Sequence, residues 1–170
     1  MIFEVDIIEE LEKFKDEVTK TSDGYVVELV ANIGTPADVD IILKNSAEGV
    51  GLLRSEFLYM DSEKMPTEEE QFLAYKEVAE KMEDRPVIIR TLDVGGDKDI
   101  PYLGLSKEDN PFMGFRAVRY CLHREDVYKP QLRALLRASA FGNIKIMIPL
   151  VTCIDEVREV KAMIENIKAE

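Results

Sequence analysis

One histidine and two cysteines in 170 residues leave little of the usual nucleophilic and metal-binding chemistry. His123 stands in "YCLHRED" with no serine or cysteine partner pattern and no second ligand, so it reads as a surface or half-buried structural residue. Cys121 and Cys153 fit neither a disulfide framework nor a CxxC metal spacing and read as reduced core thiols. Basic residues are also scarce, 22 against 34 acidic ones for a net charge of −12, which argues against a nucleic-acid or anionic-membrane surface. An anionic ligand would need a local cluster of positive charge to overcome that average field. No apolar run approaches a membrane span and no basic segment precedes one, so a cytoplasmic protein is expected.

What is present is a chain long enough, at 46% hydrophobic residues, to bury a core as one domain. Helical and strand-like segments alternate, which favours an α/β class. Residues 1–20 carry Ile8, Leu11, Phe14 and Val18 at helical spacing, and "TSDG" closes them, giving an N-terminal connector helix bounded at residue 23. "YVVELVANIG" is a first strand, and Thr35-Pro36-Ala37-Asp38 a helix start. "GVGLLR" is a second strand; Thr67 and Glu70 form a capping box before a helix whose stripe is Phe72, Tyr75, Ala79 and Met82. "RPVIIR" is a third strand, and Asn110-Pro111 is expected to open a helix running through Arg116 and Arg119. Residues 125–141 give a further helix ended by Gly142, "IKIMIPLV" a fourth strand, and residues 152–170 a last helix with Ile154, Val157, Val160, Ile164 and Ile167 facing inward. Four strand–helix units imply parallel strands, as a doubly wound sheet or as half of a (β/α)8 barrel. The chain stops inside a helix at Ala169-Glu170, which reads as a cut within an element.

In either architecture ligands bind at the carboxyl ends of the strands. Arg54 ends the second strand and Arg90 the third, so two guanidinium forks, each suited to a phosphate or carboxylate, should converge there. Pairing of each arginine with Glu56 or Asp93 is the competing reading at this point. Gly95 and Gly96 can bring backbone N–H groups close to an oxyanion, Lys98 adds a point charge, and Arg116 lies near the expected helix start. Asp93, Asp97 and Asp99 resemble a metal cluster, but one loop need not make such ligands converge.

"GVGLLRSEFLYMDSEKMPTEEEQF", "VIIRTLDVGGDKDIPYL", "NPFMGFRAVR" and "LRALLRASAFGNIKIMIPLV" together resemble enzyme I of the phosphoenolpyruvate-dependent sugar phosphotransferase system, from about residue 24 to the end. Pyruvate phosphate dikinase and phosphoenolpyruvate synthase share the general form of the first block. The resemblance implies residues 24–170 as the first half of a phosphoenolpyruvate-binding (β/α)8 TIM barrel, about four βα units. It implies phosphoryl transfer from phosphoenolpyruvate, with Mg2+, to a histidine of a separate N-terminal domain, and onward to the histidine-containing phosphocarrier protein, in a homodimer. Arg54, Arg90, Lys98 and Arg116 fall on basic positions of the family's substrate site. The family's Mg2+ ligands and acid groups lie in segments that this sequence does not contain, so no catalytic or metal residue is assigned and inactivity alone is expected. Ser55 stands where threonine is usual and keeps the hydroxyl. The rival expectation is a half-barrel interaction module that self-associates through its open sheet edge.

Overall fold

The computed structural model describes residues 10–95 and 100–170. Four strands, β1 (Val30–Ile33), β2 (Gly49–Arg54), β3 (Val87–Arg90) and β4 (Ile144–Met147), form one parallel sheet in the order β1-β2-β3-β4. Between and after them run α1 (Val39–Lys44), α2 (Glu56–Met60), α3 (Glu68–Met82), α4 (Ala117–His123), α5 (Glu125–Ala138) and α6 (Ile154–Ala169). This is the α/β class that the alternating pattern predicts.

The strands alternate between a packed and a less covered face. Ile33, Leu53 and Ile89 are register partners and all are buried, with half-buried Ile146 continuing the row. Val78 and Met82 of α3 and Ala134, Leu135 and Ala138 of α5 join them in one apolar core. A second core lies beyond the strand ends, where Leu92 and Val94 meet Cys121 of α4, Tyr128 and Leu132 of α5 and Val160 of α6. The opposite sheet face carries Asn32, Leu52, Arg54, Arg90, Lys145 and Met147, none of them buried. β2 has one residue more than either neighbour: Asn32 follows Ala31 while Leu52 follows Val50, and Leu53 lies three residues after Val50 while Ile89 lies two after Val87. This is a bulge at Gly51, where a Cβ would come within 2.4 Å of Val30 Cγ2.

Four expectations change. The connector helix does not reach Lys20: Glu10 and Leu11 are helical, the chain then turns, and residues 1–9 lie outside the described part. Leu11, Phe14 and Val18 are 62%, 57% and 58% exposed, so their stripe finds no core to hold it. The first strand is shorter than "YVVELVANIG" because its start is used in a hairpin, with Lys20 bridged to Val26 and Gly24 at φ +90° in the turn. Asn110 does not open a helix. The carboxylate of Glu108 accepts the Phe115 N–H at 3.1 Å, Arg116 is extended, and α4 starts at Ala117, whose N–H reaches Val94 O at 3.2 Å. Ile154 does not face inward and is 59% exposed; Val160, Met163 and Ile167 make the buried stripe of α6.

Candidate functional site

β2 and β3 end level with each other, and Arg54 and Arg90 are register partners at their last positions. α2 begins two residues after Arg54, and this sharp exit carries Glu56 to the end of β3, where its carboxylate accepts from Arg90 Nη2. Arg90 Nη1 also meets Asp93 Oδ2 at 3.0 Å. Asp93 turns its other oxygen to Arg116, accepting from Nε at 3.1 Å and Nη2 at 2.9 Å. Glu56, Asp93 and Arg116 are 3%, 7% and 3% exposed and Arg90 is half-buried, so Glu56–Arg90–Asp93–Arg116 is a largely buried chain of alternating charge. The pairing with Glu56 and Asp93 that the sequence left open is thus formed at Arg90.

Arg54 differs. It is exposed, its guanidinium lies 4.7 Å from the centre of the Phe57 ring, and it forms no ion pair among the described residues. Asp38 lies within reach of its field. The Asp38 carboxyl is held below the usual range first by the Thr35 and Gly34 N–H groups, each at 2.9 Å, and further by the Arg54 charge. Among the described residues, three guanidiniums gather at the strand ends of a protein of net charge −12, two of them paired with Glu56 and Asp93 and the third, Arg54, answered only at a distance by Asp38. Arg90 Nε is buried without a partner among the described residues. Arg54, Arg90 and Arg116 are therefore brought to one end of the sheet; Gly96 and Lys98 lie outside the described residues. Glu56 and Asp93 are both turned to arginines, and no group of three histidine, cysteine, aspartate or glutamate side chains among the described residues could hold a metal ion. Asp97 and Asp99 also lie outside that set.

Beneath this row runs a buried polar network. Gln131 of α5, fully buried, donates from Nε2 to Ser55 Oγ at 3.0 Å and to Tyr75 OH at 3.1 Å, and its Oε1 accepts the Leu92 N–H at 2.9 Å. Tyr75 and Tyr59 both donate to Gln71 Oε1, at 3.2 and 3.0 Å, and Gln71 Nε2 donates to Pro66 O at 3.1 Å. Burial holds both phenols well above their ordinary range, so they stay protonated donors. Sequence reasoning passed over both glutamines. The signal for Gln131 was available: a lone amide inside the stripe Val127, Tyr128, Leu132, Leu135, where a polar group must find partners.

The remaining candidates are dispersed. His123 is exposed against the edge of the Phe115 ring, as the sequence suggested. Cys121 is buried, with its thiol pushed up first by desolvation and then by the Asp93 charge. Cys153 corrects the expectation of two core thiols: it precedes α6 and is exposed, because the stripe that faces the core begins one turn later.

Residues 8–170 match the family described as PEP-utilising enzyme, PEP-binding domain. Among curated relatives, the chain is 58% identical over 158 residues to the phosphoenolpyruvate-protein phosphotransferase of Priestia megaterium, covering 93% of this chain and 28% of that protein. The protein of the same name from Staphylococcus carnosus (strain TM300) is 55% identical over 161 residues, covering 95% and 28%. That of Geobacillus stearothermophilus is 59% identical over 152 residues, covering 89% and 26%. The chain spans between a quarter and a third of the length of these relatives.

Proposed function

Since this chain belongs to the PEP-utilising enzymes, with phosphoenolpyruvate-protein phosphotransferases as its relatives, we propose that its strand-end arginines read the phosphate of phosphoenolpyruvate. The observation that carries the reading is the register of Arg54 with Arg90 at the ends of adjacent parallel strands. That is where open and closed α/β sheets receive ligands. Arg54 supplies an uncommitted fork at the surface. Arg90, braced by Glu56 and Asp93, offers a fixed charge and the buried Nε donor. Arg116 acts through Asp93, and Lys98, outside the described residues, is assigned to the same site by the family resemblance. In a phosphoryl transfer such charges stabilise the equatorial oxygens of the moving group.

The finer fold in this proposal is half of a (β/α)8 barrel. Parallel strands in sequential order, with the helix-packed apolar core on one face and no buried side chain on the other, suit a barrel wall whose interior is that second face. The acceptor is a protein histidine, on the N-terminal domain of the whole enzyme and then on the phosphocarrier protein. Residues 24–170 contribute binding and transfer nothing alone. The Mg2+ of the family resemblance finds no fitting ligand set among the described residues.

The test is a titration of the chain's backbone amide NMR spectrum with phosphoenolpyruvate. Shifts should concentrate at residues 54–56 and 90–95, and Arg54→Ala should weaken the response tenfold or more while the spectrum stays dispersed. A folded chain with no response at either strand end overturns the reading. Sustained phosphoryl transfer to the phosphocarrier by this chain alone would overturn its inactivity.

A second reading, self-association, is favoured by the uncovered sheet face and by the β1 edge, where Val30 is 43% exposed. The partner is a second copy that supplies the missing strands.

A further inference from the structure

We infer that Gln131 is a positioning residue: its amide fixes the exits of β2 and β3 against each other and so sets the spacing of the Arg54–Arg90 pair. The inference rests on the phosphate reading for its functional meaning. Its geometry stands without it.

Ser55 is the residue between Arg54 and Glu56, and Leu92 the residue just before Asp93. Each belongs to a strand exit, and the two exits have no further ladder pairing beyond Arg54–Arg90 to hold them. Gln131 grips one exit through Ser55 Oγ and the other through the Leu92 N–H, with opposite ends of a single amide. An amide is rigid and planar, so its donor and acceptor hold a fixed separation. Gln131 is also anchored from below by Tyr75 OH at 3.1 Å, and it lies on a 14-residue helix packed against α3. The clamp is therefore built on rigid elements and reaches both arginine-bearing segments, one through the Ser55 hydroxyl and the other through the Leu92 backbone N–H. Gln71 provides the contrast. It is just as buried and bonds Tyr59, Tyr75 and Pro66, but it touches neither exit. A leucine at 131 would keep most of the volume and lose both grips. The Leu92 N–H would then be left buried without its acceptor.

The test compares Gln131→Leu, Gln71→Leu, Ser55→Ala and Ser55→Thr with the unsubstituted chain. It reads the arginine Nε–Hε NMR signals and the phosphoenolpyruvate titration. Gln131→Leu and Ser55→Ala are expected to displace the Arg90 signal and to raise the ligand concentration at half-response tenfold or more. Ser55→Thr, which keeps the hydroxyl, should restore both. Gln71→Leu should lower the melting temperature yet leave the Arg90 signal in place. If Gln131→Leu unfolds the chain, the Ser55 pair decides by the same signals. Arg90 signals that coincide in Ser55→Ala and Ser55→Thr, or that move as far in Gln71→Leu as in Gln131→Leu, overturn the inference. An unsubstituted chain that ignores phosphoenolpyruvate overturns the proposed function instead, and the guanidinium signals still decide the role of Gln131.

Discussion

Asp93 stands between two guanidiniums, and taking its carboxylate away would leave Arg90 and Arg116 facing each other in a space with little water. Breaking a buried pair costs far more than breaking an exposed one, because the surviving charge keeps its desolvation penalty. Asp93→Ala should therefore lower stability by about 3–5 kcal/mol, read as a shifted urea midpoint. Arg54→Ala gives the opposite profile. It removes an exposed guanidinium stacked on Phe57, costs about 1 kcal/mol or less, and its effect falls on ligand binding. A stability loss for Arg54→Ala as large as that for Asp93→Ala would contradict this division. Under the proposed phosphate reading, Asp93 holds the site together and Arg54 meets the ligand.

Among the elements, the junction of β1 and α1 responds to pH. Asp38 accepts the Gly34 and Thr35 N–H groups, and its carboxyl is lowered in the folded chain. A group lowered on folding adds stability above its unfolded pKa, near 3.9 for aspartate, and loses it as pH falls through the folded value. The stability difference between the unsubstituted chain and Asp38→Asn should be constant above about pH 5 and shrink on acidification. Urea midpoints measured from pH 7 to pH 3 check this; a difference that grows toward acid would refute it. Such local chemistry was legible in the sequence wherever periodicity, caps and breakers agreed. The capping box of Thr67 and Glu70 forms, with Thr67 N–H to Glu70 Oε2 at 2.7 Å, and the strands ending in Arg54 and Arg90 end there. Asn110-Pro111 carried an equally good start signal and failed because one nearby and one distant carboxylate competed. Glu108 takes the Phe115 N–H, while the guanidinium of Arg116 is drawn to Asp93, and both fix the backbone before α4. The arginine row was visible as a repeated strand-end position. The Gln131 clamp joins residues 55, 92 and 131, and no local pattern brings those together.

At the scale of the molecule, among the described residues the sheet has unpaired edges at β1 and β4 and one face whose side chains are not buried. Exposed Val30 at one edge and Met147 at the other, 43% and 37% exposed, mark surfaces that a second copy could cover. Under the self-association reading, sedimentation equilibrium at increasing concentration should give a mass approaching twice 19.4 kDa. A mass that stays monomeric throughout would dismiss it. The bulge in β2 has a consequence for how such a chain can change. Side chains along a strand obey an odd–even rule, and one additional residue inverts the parity of everything downstream. Val50 and Leu53, an odd number of positions apart, both face the core because Gly51 absorbs one count, and Arg54 consequently shares a face with Arg90. Straightening the bulge with all six residues kept would send Leu53 outward and Arg54 into the apolar layer, whereas deleting Gly51 would leave Val50 and Leu53 two positions apart and still facing the core. The facing of the arginine therefore depends on how the backbone takes up one surplus residue as much as on its own identity.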